Sequence, residues 1–442
     1  MVMDRRSFFK WGTAFGLGSL AFPGLSKTPR PGKELELLST ARNCIYVNLL
    51  GAPSQMDTFD FKTGPWTSST VELTELDNGA LWPGAYFPNL LKVQEHFTLV
   101  RSLYTNVLNH QRAQYRVETA HPFVAAKILQ EEIPPLGALF SLELDDQRKQ
   151  TDVYPSYISL NYRPKSTGML DNRFAGFYLS GSLGSEIFQH PEGPAALDQR
   201  LRYLYDLDPG KQATGVAYAD SIRYVWDQAA LMMSDDRVTQ ALSLDTHTQD
   251  HYGRGDIGVN LAQTFQILAQ NAGARFFSIG DTKWDHHDNI NRKIRGKAVA
   301  LDQALAALIG DLALTPGVES GKSLLDETLI IVTGEFGRTP GALNTSAGRD
   351  HHGGAFSALV AGGGVQGGRI IGETDSIGNQ IIDIGWSQDR NISTSDLAAT
   401  ALSAMGINPY TEVQNTPSSR PYYYTSSESW MYTDPKPIKE LF

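Results

Sequence analysis

Carboxylates and imidazoles gather in four short stretches of this 442-residue chain, and both are donor types that hold divalent metal ions. The stretches are Ser54-Gln55-Met56-Asp57-Thr58-Phe59-Asp60, Trp284-Asp285-His286-His287-Asp288-Asn289, Gly334-Glu335-Phe336-Gly337-Arg338-Thr339-Pro340 and Gly348-Arg349-Asp350-His351-His352. Asn109-His110 adds a fifth candidate. Zn²⁺ and comparable ions require several fixed oxygen or nitrogen donors converging on one point. Arg338 and Arg349 add planar cations able to hold a phosphoryl or sulfate group through two parallel hydrogen bonds. The combination suits hydrolysis of an anionic ester. Each stretch also has a structural alternative: His286-His287 as a solvated loop pair, Glu335 ion-paired with Arg338, Asp350 bonded to His351, Asp57 and Asp60 shaping a turn. Their joint occurrence points to a site. Histidine alone does not, because it recurs at His96, His121, His190, His247 and His251.

The elements that must position these residues read as strands alternating with helices, the pattern of an α/β fold with a mainly parallel central sheet flanked by helices. Asn43–Leu50, Phe97–Arg101, Arg275–Ile279, Thr328–Thr333 and Ala355–Ala361 are the expected strands. Arg112–Leu129, Ile257–Asn271 and Leu301–Leu314 have helical spacing of apolar residues. In such sheets ligands bind outside the carboxyl ends of the strands, where most of the candidate stretches fall. The segment 154–207, rich in aromatics, glycine and proline without a clear period, is expected to be a loop-rich insertion or cap. The aromatic tail after Pro421 is expected to pack on the core, and the lone Cys44 to be a buried strand residue.

The opening Asp4-Arg5-Arg6-Ser7-Phe8-Phe9-Lys10, followed by a small and apolar run from Trp11 to Phe22, resembles a twin-arginine export signal. Residues 1–30 are therefore expected to be a signal segment read by the twin-arginine export machinery, and 31–442 a single α/β domain, periplasmic or secreted. No clean small-x-small cleavage site lies near Pro23 to Thr28, so retention at the membrane by the N-terminus stays open. Beyond the signal no apolar run reaches the ~20 residues of a transmembrane span. A net charge of -10 and a pI near 5.5 argue against a nucleic-acid partner, which calls for a basic stripe.

Taken together, G-A-P-S-Q-M-D-T-F-D, N-H-Q-R-A-Q, Y-G-R-G-D-I-G, W-D-H-H-D-N, G-E-F-G-R-T-P, G-R-D-H-H and A-G-G-G-V-Q-G-G-R-I-I-G-E-T-D resemble the bacterial exported family labelled domain of unknown function 1501, from about Cys44 to Asn408. That family looks related to the alkaline phosphatase-like superfamily of metal-dependent phosphatases, sulfatases and phosphomutases. The resemblance implies an alkaline phosphatase-like fold and a divalent metal, Zn²⁺ among the candidates, held by Asp57, Asp285, His287, Glu335, Asp350 and His351. It implies a small anionic ester or a polysaccharide-linked ester as substrate. His110 would be a polar contact or general acid and Arg338 an anion clamp; Ser54, Thr105 or a hydroxide on the metal would attack. Two positions depart from the pattern: Phe336 stands where superfamily enzymes carry the histidine of an Asp-His pair, and Gln55 where the family commonly has histidine. A non-catalytic binding or assembly protein on the same fold is the alternative.

Overall fold

The computed structural model describes residues 26–30, 35–163, 166–180, 188, 192–207, 217–427, 430–431 and 433–442. The twin-arginine motif and the apolar run after it lie outside the described residues. Ser26–Pro29, inside the stretch read as signal, pairs antiparallel with Thr411–Gln414, so the paired structure begins before residue 31.

Eight strands form the central sheet: β1 Asn43–Leu49, β2 Phe97–Leu103, β3 Tyr157–Leu160, β4 Phe177–Leu179, β5 Phe276–Asp281, β6 Thr328–Thr333, β7 Phe356–Ala361 and β8 Arg369–Ile371. Their order is β8-β2-β7-β6-β1-β5-β3-β4. Only β7 runs against its neighbours, so the sheet is mainly parallel, as the alternation of elements implies. Two faces of a parallel sheet must both be covered, and the strands accordingly read as continuous apolar runs. Alternate residues of β1 divide between two cores: Ile45, Val47 and Leu49 enter one, Cys44 and Tyr46 the other. The first core packs under α3 Asp256–Ala269 and α4 Ile290–Leu314, the second under α2 Leu136–Glu143 and α5 Thr394–Ala404. Tyr422, Tyr424, Ile438 and Leu441 of the tail join the second core.

Three elements differ from the sequence reading. The helix expected over Arg112–Leu129 is α1 His110–Thr119, ending at Ala120 in a left-handed conformation (φ 56°). Pro122 accounts for the stop, since the residue before a proline is driven out of helical geometry. The helix expected from Leu301 begins at Ile290; polar Asn291-Arg292-Lys293 masks a buried stripe that Ile290, Ile294, Ala298 and Leu301 carry without a break. Within the segment read as an insertion, β3 and β4 extend the sheet at its edge beside β5. Strands of four and three residues are too short to show a period.

Candidate metal centre

The candidate stretches converge at the carboxyl ends of the central strands. After β1 the chain turns sharply at Gly51, where φ is +105° and a Cβ would come 2.5 Å from the backbone nitrogen of Asp285. Only glycine lets the two loops approach this closely. After β2, Asn109 caps α1 by accepting a hydrogen bond from the Arg112 amide at 3.1 Å, which sets His110 as the first helical residue. Asp285 and His287 follow β5, and Glu335 follows β6 directly. His351 lies opposite Arg338 in a short antiparallel pair, Gly337–Arg338 with His351–His352.

His110, Asp285, His287 and His351 each offer one ligand atom, and these four atoms lie within 4.8 Å of one another. From Asp285 Oδ1 the Nε2 atoms of His287, His110 and His351 stand at 3.0, 3.5 and 3.8 Å. His287 Nε2 and His351 Nε2 are 3.1 Å apart. A tetrahedron with metal–ligand bonds of about 2.0–2.1 Å has edges of roughly 3.3–3.4 Å, and the four spacings, from 3.0 to 3.8 Å, fall on either side of that value.

The opposite ring nitrogens are all anchored. His110 Nδ1 donates to Glu335 Oε1 at 2.6 Å, His287 Nδ1 to Asp350 Oδ1 at 3.0 Å, and His351 Nδ1 to the Leu108 carbonyl at 2.7 Å. Ionised carboxylates and a carbonyl only accept, so each Nδ1 carries its hydrogen, and in the neutral ring each Nε2 presents a lone pair. His110 Nε2 is buried and has no hydrogen-bond partner. A metal-bound histidine characteristically donates its second ring N–H to a carboxylate or carbonyl in this manner.

Glu335 is therefore placed behind His110. Buried at 3% exposure, its Oε1 also accepts from the Gly51 amide at 3.1 Å and from Gln114 Nε2 at 3.0 Å. Gln114 lies one helical turn beyond His110, on the same face. Burial pulls the His110 pKa down, but the Glu335 hydrogen bond, with the charges of Glu335 and Asp285, outweighs it and holds the ring above its ordinary value. For Asp285, burial is outweighed by Arg338, which holds the carboxylate below its usual range. His351 is lowered, first by burial, with the Arg338 charge adding to it. Asp350 is exposed and lowered by its bond from His287.

Arg338 is fully buried, and its guanidinium faces protein acceptors on every side. Nε donates to the Ala52 carbonyl at 2.9 Å; Nη1 to the Arg349 carbonyl at 3.2 Å and His287 Nε2 at 3.3 Å; Nη2 to Asp285 Oδ1 at 2.5 Å and the Gly51 carbonyl. Its partner is thus Asp285, whereas Glu335 binds His110. Buried Gln55 fixes the same segment, accepting from the Arg338 amide at 2.8 Å and donating to the Arg338 carbonyl at 3.0 Å.

Ser54, Asp57 and Arg349 form a second buried cluster. Arg349 Nε donates to Asp57 Oδ2 at 2.6 Å, its Nη1 donates to the carbonyls of Thr339 and Gly341, and the Ser54 hydroxyl donates to Asp57 Oδ2 at 2.5 Å. Asp57 is not among the four converging donors. Phe336, fully buried, lies against the rings of His110 and His351 with centroids 4.7 and 4.6 Å away. Gln114 and the Leu108 carbonyl are the partners the sequence reading missed. For Gln114 the available signal was its four-residue spacing from His110; a backbone carbonyl leaves none.

One family profile matches residues 41–429, nearly the whole chain. The chain belongs to the family described as "Protein of unknown function (DUF1501)". No protein with a curated description matches it. Solved structures similar to it include Ps i-CgsB, at 12% identity and a TM-score of 0.39, over 83% of this chain and 72% of that one. The lipoteichoic acid synthase LtaP from Listeria monocytogenes is 11% identical at a TM-score of 0.37, over 86% and 76%. A protein in the alkaline phosphatase superfamily from Vibrio parahaemolyticus is 12% identical at 0.37, over 97% and 92%. Among the described residues no helix is long and apolar enough to cross a membrane.

Proposed function

We propose that this protein is an exported, metal-dependent hydrolase of a phosphate or sulfate ester on an alkaline phosphatase-like fold, with His110, Asp285, His287 and His351 as the ligands of one divalent ion. The observation that carries the reading is the anchoring of three imidazoles through Nδ1 while their Nε2 atoms face Asp285. A set of three nitrogens and one carboxylate oxygen suits Zn²⁺ and similar ions, and the partnerless, buried Nε2 of His110 is what such an ion would satisfy. A divalent ion there supplies Lewis acidity toward an ester oxygen and makes water a usable nucleophile near neutral pH.

The chain's own residues orient and admit. Glu335 and Asp350 hold the protons of His110 and His287 on Nδ1, which keeps both Nε2 lone pairs directed inward. Arg338 ties the loop after β1 to the loop after β5 and acts as a positioning residue, since its N–H groups already have acceptors. The side chains of Asp285 and His287 are each 44% exposed, which leaves the cluster open to an anionic ester. Ser54 is buried and committed to Asp57, so the attacking group in this reading is water. Phe336 occupies the position beside His110 and His351 with an apolar ring, which favours a single ion.

The second reading, a non-catalytic binding or assembly protein, draws on the same facts about Ser54, Arg338 and Arg349. Hydrolysis of p-nitrophenyl phosphate and p-nitrophenyl sulfate after loading with Zn²⁺, Mn²⁺ or Co²⁺ separates the two. The hydrolase reading expects metal-dependent turnover that His351→Ala abolishes while the fold is retained. A loaded protein inert toward both esters supports the second reading. Export is tested separately: Arg5→Lys with Arg6→Lys should leave folded protein in the cytoplasm, and normal export of that variant removes the localisation.

A further inference from the structure

The motif Tyr252-Gly253-Arg254-Gly255-Asp256-Ile257-Gly258 takes no part in the ligand cluster. All of it but Asp256 lines one wall of a cavity of about 510 Å³, within the range of small-ligand sites of ~300–1,000 Å³. The opposite wall is a stripe of α4 carrying Arg292, Arg295, Gly296, Val299 and Gln303. Spacings of three and four residues place these side chains on one face of the helix.

Lys293 and Lys297 of the same helix are tied to Asp288 and Asp281, whereas among the described residues neither Arg292 nor Arg295 is in an ion pair. Arg254 reaches the cavity from the other wall, already bound to Asp250 at 2.8 Å; the other acidic groups around it are Asp256 in the first turn of α3, Asp288, whose charge Arg292 also feels, and Asp311, which accepts from the Tyr252 hydroxyl at 2.7 Å. On a chain of net charge -10, two unpaired guanidinium groups lining one cleft are a local excess of the opposite sign. The helix that carries the stripe begins three residues after His287. Between Arg292 and Gln303 the stripe extends for about 16 Å along the helix, at ~1.5 Å per residue.

We propose that this cleft binds a second anionic group of an extended substrate whose scissile ester lies at His110, Asp285, His287 and His351. The substrate class is then a chain bearing repeated sulfate or phosphate groups, since guanidinium groups hold such tetrahedral oxyanions through paired hydrogen bonds. The substrate role rests on the hydrolase reading; the affinity of the cleft for an oxyanion does not.

Calorimetric titration of the full, metal-loaded chain with tripolyphosphate and with a disulfated disaccharide tests both parts, and the better ligand identifies phosphate or sulfate as the natural group. Binding should weaken at least about tenfold in the double variant Arg292→Gln, Arg295→Gln, two charge-assisted contacts being lost. It should recover only in part in Arg292→Lys, Arg295→Lys, which keeps the charge but loses the planar fork, and change less than about twofold in His351→Ala, with unchanged melting temperatures for all the cleft variants. The glutamine pair should also raise KM for a multiply charged ester while leaving p-nitrophenyl ester turnover unaltered. Equal affinity in the glutamine pair, or no binding of either probe by the wild-type chain, overturns the cleft. Binding lost in His351→Ala but kept in the glutamine pair puts the anion at the metal centre and also overturns it, leaving the hydrolase reading intact. A chain inert toward every ester ends the hydrolase reading and the substrate role with it, while the titration still decides whether the cleft binds an oxyanion.

Discussion

Two clusters of charged side chains lie at the same edge of the sheet, and they differ in what their polar atoms have left to bind. In the first, Asp57 receives Arg349 and Ser54, and Arg349 turns its remaining donors onto the carbonyls of Thr339 and Gly341. In the second, the Nδ1 atoms of His110, His287 and His351 are fixed while buried His110 Nε2 has no hydrogen-bond partner and all three Nε2 atoms face Asp285. Residue type alone makes the two equivalent. Unfilled valence separates them: the first cluster is complete as it stands and holds loops together, whereas in the second His110 Nε2 is left without a hydrogen-bond partner, while Arg338 Nη1 reaches His287 Nε2 at 3.3 Å.

Removing one partner from the complete cluster should give the largest effect. Arg349→Ala leaves Asp57 buried without its counter-charge and should cost about 3–5 kcal/mol in a urea titration, the range for breaking a buried pair. A cost under about 1 kcal/mol would show that this cluster is not the structural one. In the open cluster the pattern should reverse. His287→Ala should lower metal affinity by more than about 100-fold, beyond the ~10–100-fold typical of losing an orienting partner, with metal-free stability changed by less than about 1 kcal/mol.

The contrast is sharpened by a buried histidine outside both clusters. His121 donates from Nε2 to the Tyr423 carbonyl at 2.7 Å and stacks on Tyr422, and burial pushes its pKa down to about 4. A folded pKa below the unfolded ~6.5 means the unfolded chain takes up the proton first. The stability is therefore fully present above pH ~6.5 and is lost as pH falls toward 4, by about 2 kcal/mol between pH 7 and 5. Denaturation curves of His121→Gln should lack this component; an unchanged pH slope would remove His121 as its source. Smaller still, Glu335→Gln should weaken metal binding by about 10- to 100-fold, and Asp350→Asn, at an exposed position, by only a few-fold. Competition titrations against a chelator read both, and a larger loss in Asp350→Asn would invert the assigned order.

Much of this arrangement was legible from residues alone, and the rest failed for identifiable reasons. Thr328–Thr333 shows itself as a run of apolar and β-branched residues, and the carboxylate placed next to its end, Glu335, does reach the site. Trp284-Asp285-His286-His287 sends Asp285 and His287 into the cluster, while His286 is buried beside it with its pKa pushed down to about 4 by burial and the Arg338 charge. Nothing local tells two adjacent histidines apart. Likewise, Asp57 and Glu335 differ only through partners: Arg349 is 292 positions from Asp57, and His110 is 225 from Glu335. Arg338 has the right chemistry for an anion clamp, and only the carbonyls of Gly51, Ala52 and Arg349 reveal that its donors are committed. Strands β3 and β4 escaped because pairing with β5 and with each other, rather than any periodic pattern, makes them strands.

The central claim is that one divalent ion belongs between His110, Asp285, His287 and His351. Anomalous diffraction from crystals grown with Zn²⁺, recorded on both sides of the zinc edge, tests it most directly. The account predicts a single strong peak bonded to the three Nε2 atoms and to an Asp285 oxygen, at about 2.0–2.2 Å. No peak at that position, or a peak held by Asp57 instead, would contradict it.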